Sequence, residues 1–564
     1  MTKRLILALL LSASPLWATT YYVDNCVVTG NDSNNGTTSS TPWLTIRKVN
    51  ASTFNPGDSI LFQSTCTWRE QLVVTSSGSP GSPITFGAYG AGAAPIINGS
   101  NLLSVSWTQV SADIWETTLS TQPLIVFFNG APGTNVGAEG GVTAAGDWYW
   151  SANTLYVYST SNPSQAFTSP GVEAGTRQNA LLQYGGQYLT ISNLHLTKAN
   201  YYGAQLVGNV TVNGVTADYN GANAFMDWQS LSTIANNITL ENSTIAYNGG
   251  SGLIFGHLNN VLIQGNNIHH NCWDPTQTYS RGISIGSPDT TNVTVQYNNV
   301  HDNGVAATGA AGAGIACDTC GSGIVFRYNA SWGNTLHGLD IDADNNLQAY
   351  YNVVWNNNRG ISVFADANSS MTGNRVYNNT VYGNNLYGIL VEGPSAGSTL
   401  NGCTNNFVVN NIIVGTTGGP SLEVFNGCEN PGANGSGNVY TYNDFGTAAS
   451  NFITWGSSNY STYATWEAAT GNCGTTGCSH SVQADPQFVN AAASQFWLAS
   501  ASPAIDAGLN LGSPYNMGLM PGSTWPNSVV TGDQNAYGSA WEIGAFVYGP
   551  TVPSPPTNAV AIVD

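Results

Sequence analysis

From about residue 236 the chain repeats itself, and this repeat limits the possible fold more than any other feature of its 564 residues. One phrase recurs as NNITLENSTIAYNG, NVLIQGNNIHHN, NVTVQYNNVHDN, GIVFRYNASWGN, NLQAYYNVVWNN and NRVYNNTVYGN. Each copy alternates apolar and polar residues, steps, alternates again and ends on asparagine. In register, Asn248, Asn271, Asn303, Asn334, Asn357 and Asn384 form one column. A second phrase recurs as SGLIFGH, RGISIGS, AGIACDT, HGLDIDA, RGISVFA and YGILVEG, and its glycines stand 30, 32, 24, 22 and 28 residues apart. Strands of period two, returning every 22 residues or a little more, predict a coil of three short strands. Stacked coils make parallel sheets, each burying its interior against the next. A column of amides suits such a stack, because each side chain can bond the one above and below. The competing repeat, a β-propeller blade, needs about 40 residues, and no useful helical periodicity is present. The expected fold is all-β, a parallel β-helix.

The flanks read differently. Residues 1–18 carry Lys3 and Arg4, a short apolar run and small residues up to Ala18, the pattern of a secretory signal peptide. Residues 19–106 are read as an N-terminal cap and first coils. Residues 107–175 break the pattern and suggest a small antiparallel β insertion. Coils resume over 176–430, residues 431–550 suggest C-terminal coils and a cap, and 551–564 resembles a linker. The apolar run is too short to span a bilayer, so the expectation is a secreted, monomeric chain without membrane insertion.

Charge narrows the partners. The net charge is -19, with only 11 Lys plus Arg, too few bases to neutralise a row of phosphates, which argues against a nucleic-acid partner. Nine cysteines suit an oxidising compartment. Cys473 with Cys478, Cys26 with Cys66, and Cys403 with Cys428 are candidate pairs. Cys317-x-x-Cys320 reads as a zinc half-site or a redox pair, although no second ligand pair accompanies it.

The segments YYVDN, GNDSNNGTTSSTPWLTI, GDSILFQSTCTWREQLVV and GSPITFGAYGAGAAPIING, with the closing DPQFV, FWLASASPAIDAG and WEIGAFVYG, resemble the right-handed parallel β-helix proteins of bacterial secretomes. That group includes glycoside hydrolases and polysaccharide lyases. The resemblance implies a right-handed solenoid and a polysaccharide partner. Asp506 and Glu542, in the closing motifs, are read as cap residues.

Counting from the repeated glycine, positions plus one and plus three are apolar in every coil and should face inward. Plus two and plus four then face outward. This places Asp318 and Asp342 in one column, about 4.8 Å apart by strand spacing, with Asp340 about 6.5 Å along the strand from Asp342. His337 begins that strand, Arg359 the next, and Arg281 an earlier one. Stacked carboxylates cost stability unless something offsets them, so this patch is the candidate site. Three readings stay open. In the first, Asp318, Asp340 and Asp342 are the acid and the base or nucleophile of a glycosidase, with His337 and Arg359 orienting groups; no cofactor is then required. The patch is similar to that of pectinase-type β-helix hydrolases, but lacks their lysine and ordered motifs. In the second, the three aspartates bind Ca²⁺ and Arg281 or Arg359 is the base of a lyase. In the third, the patch is a solvated face, or a structural calcium site, of a non-catalytic glycan-binding or structural protein. Arg281 and Glu392 are candidate substrate contacts. His301, Trp332, Trp355 and Tyr382 form an aromatic column that reads as a sugar platform or as ladder stacking. Trp228 is a candidate wall of the cleft.

Overall fold

The computed structural model describes residues 18–549 except 228–233, 306–310, 343, 366–368, 395–401, 426, 430–434, 448–451 and 471–479. The leader-like start, the tail, Trp228, Cys473 and Cys478 lie outside the described residues.

The chain winds into coils whose strands form three long sheets of 13, 13 and 11 strands. Pairing along the stack is parallel and in register, apart from the antiparallel pair of Ile453–Trp455 with Ser458–Tyr460 that ends one sheet. Ile283, Ile315, Leu339, Ile361 and Ile389 lie side by side on successive strands, and all are fully buried. A buried side chain of this size contributes about 1.5–3 kcal/mol. The continuous inward columns are therefore the main source of cohesion, and no coil could bury its face alone.

The repeated glycines answer to crowding between coils. A Cβ on Gly252 would lie 2.5 Å from the Gly282 carbonyl oxygen, and one on Gly360 would lie 2.0 Å from that of Gly388. The turn before the asparagine column has another demand. Tyr247, His270 and Asp302 there have φ of 56°, 54° and 51°, and later coils use Gly333 and Gly383.

The asparagine column is a buried ladder. Asn248 Nδ2 donates to Asn271 Oδ1 at 2.8 Å, Asn271 to Asn303 at 3.1 Å and Asn303 to Asn334 at 3.0 Å, and the series continues to Asn384. A second ladder runs through Asn266, Asn298, Asn329, Asn352, Asn379, Asn411 and Asn443. These amides satisfy turn backbone that would otherwise be buried without partners.

Between Ser100 and Gly175 the chain forms a four-stranded and a five-stranded sheet, with a core of their own around Trp148, Leu155 and Val157. Glu173, fully buried, joins them to the coils by accepting from Arg69 at 2.7 Å and Lys198 at 2.6 Å. At the far end, the helix Tyr463–Thr470 closes the stack, with Trp466 packed on Phe445 and Trp455. The following residues do more than cap. They return along the outside of the solenoid, placing Phe496 on Trp355 and Tyr382, and Tyr515 on Tyr350 and Tyr377. Asp506 accepts from the backbone of Ser539 and Ala540 in this returning segment.

Disulfides join Cys26 to Cys66, Cys403 to Cys428 and Cys317 to Cys320; Cys272 is a buried free thiol. The Cys317–Cys320 bridge corrects the zinc half-site alternative, because oxidised sulfurs are not thiolate ligands.

Candidate active site

The glycine-marked strands lie in one 13-stranded sheet, and its outer face carries the site. Arg281–Gly286, Ala313–Asp318, His337–Asp342, Arg359–Phe364, Ile389–Glu392 and Leu422–Phe425 are successive neighbours. Asp318 pairs in register with Asp342, Asp342 with Phe364, and Phe364 with Glu392. His337 pairs with Arg359.

Arg281 lies nearer the centre than its coil number suggests. Its guanidinium reaches across the Ala313–Asp318 strand, where Ala313 and Ala316 leave room, to within 3.5 Å of Asp340 and 3.8 Å of Asp318. Asp340 has only 4 % of its side chain exposed, against 44 % for Asp318. His337 Nδ1 is 3.9 Å from Asp340 Oδ1. Burial pushes the His337 imidazole down from its ordinary range, and Asp340 offsets that only in part. Arg359 can only donate, so the neutral His337 accepts from it through Nε2 at 3.2 Å. The ring proton then sits on Nδ1, facing Asp340 and the Tyr387 hydroxyl, which is 3.4 Å away. Tyr387 is held in turn by Ser362 at 2.7 Å.

Three contributors escaped the column count. Asp344 continues the period-two run after Asp340 and Asp342, is fully buried and accepts from the Cys320 backbone N–H. Burial, reinforced by the neighbouring aspartates, raises its carboxyl well above the usual range. Glu423 faces the same side as Asp340, two strands beyond Ser362. Burial and the nearby Glu392 raise it, while Arg359 opposes them. Its coil has Ser421 where the others have glycine, so the repeat did not mark it. Tyr387 was visible only as the residue before a glycine.

Calcium fits the aspartates poorly. Arg281 already supplies the positive charge between Asp318 and Asp340. Among the described residues, the acid and cysteine clusters compact enough for one ion are Asp24 with Cys26 and Cys66, and Asp344 with Cys317 and Cys320. Both cysteine pairs are disulfides.

His301, Trp332, Trp355 and Tyr382 do not join the site. They lie on the 11-stranded sheet. His301 is stacked between His269 at 4.9 Å and Trp332 at 4.3 Å, and Trp332 stacks on Trp355 at 5.6 Å. Phe496 packs on Trp355 and Tyr382. His301 and Trp332 are thus stacked on both sides, as in a ladder, whereas Tyr382 borders a separate groove.

A groove of about 670 Å³ runs along the site sheet from Asp318 toward earlier coils, bounded by Arg281, Ser284, Tyr279, Ser251 and Asn223. His257 also borders it, paired with Asp289 at 2.8 Å.

Residues 179–346 match the family described as the right handed beta helix region. Over 97 residues the chain is 35% identical to the lacto-N-biosidase of Bifidobacterium longum subsp. longum, a match spanning 16% of this chain and 6% of that protein. Among solved structures, XylC in complex with xylose is similar at a TM-score of 0.54 and 14% identity, covering 74% of this chain and 86% of its own. The GH136 lacto-N-biosidase from Eubacterium ramulus gives a TM-score of 0.40 at 15% identity, covering 74% of this chain and 65% of its own. Pectate lyase Pel9A gives 0.39 at 16%, covering 94% and 96%. The matched segment, the stacked parallel sheets and the likeness to XylC make this chain a right-handed parallel β-helix protein.

Proposed function

We propose that the protein is a secreted glycoside hydrolase that cleaves a polysaccharide at the Asp318, Asp340 and Asp342 patch. The observation that carries this reading is Asp340, a nearly buried carboxylate placed beside Arg281 and His337, with Arg281 and Asp318 of the same patch lining a groove. Burying a charge is costly without such partners, and a solvated structural face has no need of the arrangement. The lacto-N-biosidase segment supports carbohydrate chemistry, and the three disulfides among the described residues support an oxidising compartment.

Arg281 and His337 hold Asp340 in place as the anionic partner of the developing positive charge at the sugar's reacting carbon. Asp342 is the candidate proton donor. It stands between Asp318 and Phe364 in register. Strand geometry separates Asp340 from Asp342 by about 6.5 Å at the backbone, and Asp318 from Asp342 by about 4.8 Å. The smaller spacing is close to the carboxyl separation of a retaining glycosidase, about 5–5.5 Å, and the larger is at the lower edge of the inverting range, about 6.5–9.5 Å. Arg359 donates to His337, an engagement that leaves it ill suited to act as a lyase base.

The test is reducing-end release across neutral and acidic polysaccharides, with ultraviolet absorbance recorded for unsaturated products. Wild type should release reducing ends without absorbance, and Asp340→Asn and Asp342→Asn should each lose about 10²–10⁴-fold. Absorbance that a calcium chelator abolishes would establish a lyase instead. Full activity in Asp340→Asn would overturn the assignment.

A further inference from the structure

We infer that the groove beside Asp318 is a subsite for an uncharged sugar ring, with Tyr279 as its stacking wall and Gly256 and Gly286 as its floor; this rests on the hydrolase reading above. The floor is the first observation. The repeated glycines of this sheet are crowded by the next coil, but Gly256 and Gly286, four residues further along their strands, are not. A Cβ on Gly256 would have no heavy atom nearer than 3.9 Å, and one on Gly286 would meet only the Asp318 carbonyl oxygen, at 3.4 Å. Neither has a positive φ, so neither backbone nor packing requires glycine there. The same column carries Asp318, Asp342, Phe364 and Glu392 in later coils. Side chains fill the column past Asp318 and are missing just before it, where the groove lies.

The wall is the second observation. Tyr279 borders the groove and is 72 % exposed. Its loop is fixed at several points: Asp274 accepts from Thr276, Gln277 donates to the Gly221 carbonyl at 3.1 Å, and the Arg281 backbone donates to Ser251 at 3.0 Å. Anchoring of this kind presents the ring without ordering the whole loop on binding. An aromatic face beside hydroxyl and amide groups suits a sugar, which has an apolar face and a polar rim.

Charge selects the class of sugar. Among the described residues lining the groove, the cationic side chains are Arg281 and His257, and each faces an acid, Arg281 with Asp318 and Asp340 and His257 with Asp289. Asp342, Glu392 and Glu423 add further acids on the same sheet face. A uronate chain would bring carboxylates into a groove whose lining cations already face acids, whereas the hydroxyls of a neutral chain can bond Asn223, Ser251 and Ser284.

The experiment measures binding and hydrolysis of a xylo-oligosaccharide, a gluco-oligosaccharide and an oligogalacturonate by wild type, Tyr279→Ala, Tyr279→Phe and Gly286→Leu, with circular dichroism confirming the fold of each. Expected are binding of a neutral oligosaccharide over the oligogalacturonate, about tenfold weaker binding and a higher KM in Tyr279→Ala, recovery in Tyr279→Phe, and loss of binding in Gly286→Leu. Wild-type affinity in folded Tyr279→Ala and Gly286→Leu, or preference for the oligogalacturonate, would overturn the subsite while leaving hydrolysis intact. Binding that follows these expectations without reducing-end release would support the subsite and overturn the hydrolase.

Discussion

Asp340 shows how one residue's surroundings can be read as a functional arrangement. With 4 % of its side chain exposed, its charge depends on Arg281, because an unpaired buried carboxylate is strongly disfavoured. Arg281→Ala should therefore destabilise the fold by about 3 kcal/mol, and adding Asp340→Asn should restore most of that loss. Urea denaturation of wild type, both single variants and the double variant measures this coupling directly; additive effects would show that the two side chains do not interact. The aspartate column itself was legible in the sequence, since period-two alternation and a repeated glycine fix which residues share a face. The reach of Arg281 across a whole strand was not, because it depends on the small Ala313 and Ala316 in the coil between. Glu423 was hidden for a plainer reason: Ser421 replaces the glycine that marks the other coils.

At the scale of the element, the two kinds of ladder along the coils have separate roles. The asparagine ladders are internal and polar, so removing one rung strands its neighbours. Asn303→Ala would take the acceptor from the Asn271 amide and the donor from Asn334. The expected cost is about 1–3 kcal/mol, read as a lowered midpoint in urea, and an unchanged midpoint would mean that water replaces the rung. The aromatic ladder is external, yet its rings face one another along the stack. Trp332→Ala should lower stability without changing KM for any glycan, because both faces of Trp332 are already covered by His301 and Trp355. A raised KM in a variant of normal stability would restore the platform reading. Sequence alone placed these rings in one column, but could not show that the ring planes stack.

For the whole molecule, the segment that returns from the C-terminal end along the outside of the solenoid joins coils far apart in the sequence, and one carboxyl within it makes that join sensitive to pH. Glu542 is fully buried, its backbone accepts from Asn378 Nδ2 at 3.4 Å and donates to Gln534 Oε1 at 3.1 Å. Burial pushes its carboxyl up from 4.5 to about 7. A carboxyl raised in the fold contributes stability that is fully present below its ordinary value and is lost as pH rises through the folded one. The contribution from Glu542 is thus complete below about pH 4.5 and lost through pH 7. The shift corresponds to roughly 3 kcal/mol at 1.36 kcal/mol per unit. Asp227 and Asp444, also buried and pushed up to about 7, act in the same direction. His269, pushed down to about 4 mainly by burial, acts in the other: its contribution is present above its ordinary value and lost as pH falls toward 4. Glu542→Gln isolates one term from this sum. Relative to wild type, the variant should gain thermal stability as pH rises from about 4.5 to about 7 and level off above that, and limited proteolysis of the returning segment should slow over the same interval. A difference in Tm that stays constant with pH would show that Glu542 does not titrate with unfolding, and would leave the pH response to the acids of the coils.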